Sequence, residues 1–273
     1  MINKLVITKK VGNQWFSIFS SGCNHYKSLH IFRTAKVHFF LEIGHSNKKN
    51  IRTILCNFAL SKNGAMTIII ANGEKPSAPP CIELLHNAEA IVCCDGALRH
   101  LEQLGIQPTV IVGDGDSLTA EQRERYAPLI EADPSTDYND LTKAFRYCEA
   151  HGLDDITILG GTGLREDHTL ANLGLLLRYA GQFRVRMVSN YGIFSAISGT
   201  TTFPSRAGEQ VSIFSFTPNA RLTFHGLRYP VAQRTFAELW EGASNESLGN
   251  QFTIELHDKG QVLVYQAFKG QYA

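Results

Sequence analysis

Cysteines are too few in this chain for a disulfide scaffold. There are six in 273 residues (Cys23, Cys56, Cys81, Cys93, Cys94, Cys148), with no Cys-x-x-Cys pair. That pattern argues against a disulfide framework and for buried free thiols in a reducing cytoplasm. Long apolar runs are missing as well. The longest, residues 67–71 and 89–94, are strand-sized, far below the roughly 18 or more residues of a membrane helix. Excess charge is also missing: the formal net charge is +1, which removes the bulk-charge case for nucleic acid. With 44% hydrophobic and 19% charged residues, collagen-like, coiled-coil and wholly disordered readings are excluded.

Acid is nearly absent from one stretch. Residues 1–65 hold ten Lys or Arg against the single acid Glu42, whereas the remainder carries an acidic excess of eight. So sharp a break marks a boundary near residue 65. Met1–Lys10 is basic, but no continuous apolar stretch and small-residue cleavage site follow, so no secretory signal is expected. Within residues 1–65 only Lys36–Ile43 reads as a strand. Three accounts of this segment stay open: an extension that the fold does not need, disordered or not native; a targeting or nucleic-acid-binding arm; and a real domain. The first is preferred.

From Met66 the texture is different. Thr67–Ala71, Ala90–Cys94, Thr109–Val112, Ile156–Leu159 and Val185–Val188 are apolar throughout, as strands covered on both faces are. Helical patterns lie between them. Leu98, Leu101 and Leu104 precede Gly105; Leu141, Ala144, Phe145 and Cys148 precede Gly152; Leu170, Leu173, Leu176 and Leu177 precede Gly181. The alternation predicts an α/β fold, a parallel sheet with flanking helices, over residues 66–190. After residue 190 short strands separated by turn clusters (Pro204-Ser205, Thr217-Pro218-Asn219, Asp258-Lys259-Gly260) predict a smaller all-β sandwich over 191–273.

Carboxylates collect at the predicted strand ends: Asp95, then Asp114 and Asp116, then Asp137 and Asp140 before a helix, then Asp167 beside His168. In extended chain Asp114 and Asp116 would point the same way. Asp137 and Asp140 would share one side of a first helical turn. Each pair alone is more often cap and turn chemistry, and Asp137 is a good N-cap candidate. Their convergence is what favours a cation. An oxygen-only set points to Mg²⁺ rather than Zn²⁺. Gly160-Gly161 leads into a helix start that would supply N–H donors to phosphate, and Lys143 and Arg165 are bases nearby in the pattern. Neither a Walker A loop nor a GxGxxG fingerprint is present.

The set Asp95-Gly96-Ala97, Gly113-Asp114-Gly115-Asp116-Ser117, Asp137-Tyr138-Asn139-Asp140-Leu141-Thr142-Lys143-Ala144, Gly160-x-x-Gly163-x-Arg165-x-Asp167-His168 and Ser244-Asn245-Glu246 resembles the thiamine pyrophosphokinase family over about residues 66–273. The resemblance implies transfer of a pyrophosphoryl group from ATP to thiamine, giving thiamine diphosphate and AMP. It implies a homodimer with clefts between subunits. It implies Asp95, Asp114, Asp116 and Asp140 around Mg²⁺ and the ATP phosphates, with Asp114, Asp116, Asp140 and Asp167 as the catalytic set. Asp95, Asp137, Lys143, Arg165 and Ser117 would serve ATP, and Ser244 and Asn245 thiamine. Trp240 and Tyr229 are candidates to face the thiamine rings, with core or dimer packing as the other account of Trp240. A cytoplasmic enzyme without nucleic-acid or membrane partners is expected. Three positions depart from the family pattern: Asn139 for Thr, Leu164 for Gly and Arg99 for Asn. The competing readings are an Asp-x-Asp glycosyltransferase and a non-catalytic thiamine or nucleotide sensor.

Overall fold

The apolar runs read above become the middle of a sheet. The structure, a computed structural model, describes residues 66–268 and, before them, the strands β1 (Leu5–Val11), β2 (Gln14–Cys23) and β3 (Tyr26–Phe32). The chain divides into two units, residues 1–60 and 61–273. In the first, β1, β2 and β3 form an antiparallel sheet in that order, with Val11 opposite Gln14 and Cys23 opposite Tyr26. Only Gly12-Asn13 and Asn24-His25 separate these strands in sequence, a two-residue spacing and composition typical of hairpins. The strand expected at Lys36–Ile43 lies outside the described residues.

The second unit opens with β4 (Met66–Ile70), α1 (Pro79–Asn87), β5 (Ala90–Cys94), α2 (Leu98–Leu104), β6 (Val110–Gly113), α3 (Ala120–Arg125) and β7 (Ile130–Ala132). It continues with α4 (Asp140–Ala150), β8 (Asp155–Leu159), α5 (Glu166–Tyr179) and β9 (Arg184–Val188). The six strands pair in parallel in the order β9-β8-β4-β5-β6-β7. The chain thus moves outward from β4 on one side, then returns to β8 and β9 on the other. Ile68, Ile69, Ile70, Val92, Cys93, Ile111, Ile156, Ile158 and Leu159 are all fully buried, as central strands between helices require. β7 was not anticipated; it is three residues long, half-exposed at the sheet edge, and lacks an apolar run.

The remaining strands are β10 (Gly192–Ile197), β11 (Thr201–Pro204), β12 (Gln210–Ser215), β13 (Arg221–His225), β14 (Arg234–Thr235), β15 (Asn245–Glu246), β16 (Gln251–Leu256) and β17 (Val262–Ala267). Residues 193–203, which the sequence pattern would allow as one strand, belong to two. β10 pairs with β9 and β17, while β11 joins a separate four-stranded sheet, β11-β16-β13-β14. The parallel sheet therefore continues without a break through β10, β17, β12 and β15 into a ten-stranded mixed sheet. The four-stranded sheet packs on this extension. Phe203, Leu222, Phe224, Phe252 and Ile254 meet Ile197, Val211, Ile213, Val262 and Val264 in one apolar cluster.

Two helix expectations need correction. Leu141, Ala144, Phe145 and Cys148 are buried along α4 as the spacing predicts, but Leu170 on α5 is 68% exposed. The buried residues of α5 are Asn172, Leu176, Leu177 and Tyr179, all in its later turns. Asp137 caps nothing: α4 begins at Asp140, and Asn139 Oδ1 accepts the Thr142 N–H at 2.9 Å. Cys81, Cys93, Cys94 and Cys148 are free and buried, which raises their thiol pKa values through desolvation. No helix among the described residues is long and apolar enough to cross a membrane.

Candidate active site

Asp95 sits where β5 ends and the tight turn Asp95–Ala97 leads into α2. Its side chain is oriented by two backbone donors, Gly96 N–H to Oδ1 at 2.6 Å and Gly115 N–H to Oδ2 at 2.9 Å. Although only 2% exposed, the carboxylate is thus solvated by peptide dipoles. Two glycines of the next loop make this arrangement possible. A Cβ on Gly113 would stand 2.6 Å from Asp95 Oδ2, and Gly115 takes φ +78°, which turns its N–H inward.

The same loop presents Asp114 and Asp116, though not from extended chain as expected. Asp114 Oδ1 accepts the Asp116 N–H at 3.1 Å, closing a turn, and Ser117 Oγ donates to Asp116 Oδ1 at 3.0 Å. One carboxylate oxygen from each of Asp95, Asp114 and Asp116 then lies within 4.8 Å of the others. Asp140, first residue of α4, borders this group through Lys143. The Lys143 ammonium lies 3.7 Å from Asp114 Oδ2 and 3.5 Å from Asp140 Oδ1, and Lys143 is only 3% exposed.

The charges perturb one another as such crowding requires. Burial raises the Asp95 pKa, and the Asp140 and Asp114 charges push the same way, opposed by the two N–H donors. Burial likewise raises Asp140, with Lys143 opposing and Asp114 and Asp116 adding. Asp114 is lowered, chiefly by the Asp116 N–H and further by Lys143. Three carboxylates around one point, all hard oxygen donors, fit a small divalent cation and no soft metal.

The other expected residues have contacts of their own. Arg165 and Asp167 bind each other through both guanidinium contacts at the exposed start of α5, and Asp167 falls to about 2, first through its hydrogen bond to Arg165. Asp137 is exposed, its N–H donating to Ser135 Oγ at 3.3 Å. Ser244 is exposed at φ +58°. Asn245 is buried, accepting the Tyr229 N–H at 3.0 Å and donating to the Tyr229 carbonyl at 2.9 Å. Tyr229 and Trp240 are 61% and 73% exposed, so the core reading of Trp240 is excluded. The loop 160–163 is tied to the one after β4, Gly73 N–H to the Gly160 carbonyl and Glu74 N–H to the Thr162 carbonyl, both at 2.8 Å. Sequence reasoning passed over Asn190, whose amide grips that second loop from 112 or more residues away. No local signal marks such a contact.

The comparisons with known proteins bear on the same halves. Residues 81–188 match the family model described as the thiamin pyrophosphokinase catalytic domain, and residues 192–265 match its substrate-binding domain. The chain belongs to the thiamin pyrophosphokinase family. Thiamin pyrophosphokinase 1 of Caenorhabditis elegans is 30% identical over 130 residues, which is 44% of this chain and 53% of that protein. Thiamine pyrophosphokinase of Bacillus subtilis is 28% identical over 174 residues, 60% of this chain and 80% of the relative. The chain thus spans about half the length of the worm relative. The crystal structure of the Bacillus subtilis thiamine pyrophosphokinase shares the fold at a TM-score of 0.65, with 24% identity, over 75% of this chain and 99% of that one. The yeast thiamin pyrophosphokinase structure does so at 0.66, with 15% identity, over 83% and 95%. The two family segments meet at residues 189–191, the turn through which β9 passes into β10. In this member of the family the two segments therefore share one sheet.

Proposed function

We propose that this protein is a thiamine diphosphokinase that transfers the terminal diphosphoryl group of ATP to the hydroxyethyl oxygen of thiamine, releasing AMP. The observation that carries the reading is the convergence of Asp95, Asp114 and Asp116 on one point beside the buried ammonium of Lys143. The cation is proposed to be Mg²⁺, held by those three carboxylates with Asp140 at the border. When bound, it neutralises charge on the triphosphate oxygens. In the same reading residues 66–190 serve ATP and the metal, and residues 191–273 serve thiamine and a homodimer contact. Residues 1–65 are dispensable, and the enzyme is cytoplasmic.

The chain's own residues have distinct tasks. The N–H groups of Gly96 and Gly115 favour the ionised form of Asp95 despite its burial. Lys143, fixed between Asp114 and Asp140, holds both carboxylates in place and directs positive charge to where phosphate oxygens gain negative charge. Asp140 and Asp167 are the two carboxylates considered as acceptor for the thiamine hydroxyl proton; Asp167 is held at about 2 by Arg165 and is a poor proton acceptor near neutrality. Asp140, whose pKa is raised, is the better acceptor for the thiamine hydroxyl proton. Arg165, Ser117 and Asp137 are left to contact ATP. Ser244 offers an exposed hydroxyl to thiamine, Asn245 fixes the Tyr229 backbone, and the exposed Trp240 ring offers a face to a cationic heterocycle.

AMP release with thiamine as acceptor, measured against sugar acceptors, tests the reading. Asp114→Asn and Asp116→Asn are each expected to lose roughly a hundredfold or more in turnover while remaining folded. Near wild-type turnover in both removes the metal-site basis. Release of a nucleoside diphosphate with a sugar would instead favour a glycosyltransferase, and binding without AMP a sensor.

A further inference from the structure

We propose that Asn190 is a positioning residue for the nucleotide, acting through the loop that follows β4; the proposal rests on the diphosphokinase reading. The loop after β4 leads into α1. That helix starts with Pro79-Pro80, which lack N–H groups, and no side chain of its own caps it. The N–H groups just before it, of Ser77 and Ala78, both donate to Asn190 Oδ1, at 2.7 and 3.0 Å. Asn190 Nδ2 donates to the Lys75 carbonyl at 2.9 Å. One amide on the turn between β9 and β10 thus holds residues 75–78, the segment that leads into the helix.

The turn that carries Asn190 is itself rigid. Ser189 Oγ accepts the N–H groups of Tyr191 and Gly192 at 3.2 Å each, and the Tyr191 carbonyl accepts the Phe268 N–H at 2.8 Å. A second contact from the same turn reaches the loop: Tyr191 OH donates to Glu74 Oε1 at 3.2 Å.

The held loop lies where a nucleotide is expected. β4 and β8 are the adjacent strands at which the order of the parallel sheet reverses, and ligands enter the crevice beyond the carboxyl ends of such a pair. The loop is tied to the glycine loop after β8 by the two backbone bonds noted above, and a Cβ on Gly73 would overlap the Gly160 and Thr162 carbonyl oxygens. At its other end the Asn72 side chain lies against Gly96, next to Asp95, and the Gly73 carbonyl lies 3.0 Å from His100 Nε2. Asn190 therefore connects the β-rich half of the unit to the wall of the crevice beside the acidic site.

Steady-state kinetics and calorimetric titration with an ATP analogue test this on the full chain. Asn190→Ala is expected to raise KM for ATP and the analogue Kd roughly tenfold, since three hydrogen bonds that hold the loop are lost. kcat and KM for thiamine are expected to stay within about threefold. Asn190→Asp keeps the two accepted bonds, loses the donated one, and is expected to fall between. If the alanine variant does not fold, Asn190→Asp and Tyr191→Phe carry the test, each with a raised KM for ATP. A lower melting temperature with unchanged KM and Kd for nucleotide in these variants overturns the proposal, because that is a purely structural role. If the wild type makes no AMP from ATP and thiamine, the diphosphokinase reading fails, while the ratio of analogue Kd values still decides the role of Asn190.

Discussion

Replacing Lys143 by Met would test whether the acidic site is strained in the absence of a cation. The ammonium is almost fully buried and lies 3.7 and 3.5 Å from Asp114 and Asp140. At an effective dielectric of about 20, each contact has a gross Coulomb energy of roughly 5 kcal/mol. Most of that is offset. The ammonium has left water, and the two carboxylates remain 37% and 41% exposed, so solvent screens them. A net loss of about 2 kcal/mol is expected, with Met filling the volume of the lysine stem. In urea unfolding with EDTA, the variant midpoint should fall by roughly 1 M at a slope near 2 kcal/mol per M. Millimolar Mg²⁺ should shrink the gap between variant and wild type, because the ion takes over the neutralising role and binds only the folded site. The Lys143 share of the lowered Asp114 pKa stabilises the fold above the ordinary value of 3.8, and it is lost as pH falls through the lowered one. The gap should therefore also narrow in acid. Equal midpoints in EDTA, or a gap that Mg²⁺ leaves unchanged, would show that Lys143 does not offset the carboxylate charges.

Three further outcomes follow from single positions. Gly73→Ala forces a methyl group against two backbone carbonyls and should cost about 1–3 kcal/mol in denaturant unfolding; an unchanged midpoint contradicts the tight loop pairing. Leu164 is exposed at φ +63°, so Leu164→Gly should raise stability by about 1 kcal/mol, read as a higher melting temperature, and a fall would show that the side chain has a packing role. Asp167, lowered to about 2, is already ionised throughout the range from roughly pH 5 to 8. Asp167→Asn should lower kcat/KM by the same factor across that range; a shifted acid limb would make Asp167 the base after all.

Much of the fold was legible because the chain states it locally. The all-apolar strands and the spacing of Leu141, Ala144, Phe145 and Cys148 need only periodicity to be read. Leu170 misled because a helix pattern gives the apolar face but not which of its turns are covered. Asp137 and Asn139 are both able caps, two residues apart, and only the backbone decides between them. The sandwich read as a separate body because composition changes at residue 190. Whether strands cross such a change depends on pairing, and Ile193 opposite Val188 is what carries the sheet through. In the site, residue types and order were legible: Asp95, Asp114 and Asp116 do meet. What the sequence concealed was the means. The clearance that Gly113 gives Asp95, the burial of Lys143 and the reach of Asn190 are all contacts between distant segments.

If Asp95, Asp114 and Asp116 hold a divalent cation against a nucleoside triphosphate, the ion should bind with the nucleotide. Titrating Mn²⁺ into the protein with a non-hydrolysable ATP analogue, followed by electron paramagnetic resonance of the free ion, measures this. Tight nucleotide-dependent binding is expected in the wild type, weakened at least tenfold in both Asp114→Asn and Asp116→Asn. Mn²⁺ affinity that is the same in all three proteins would contradict the claim.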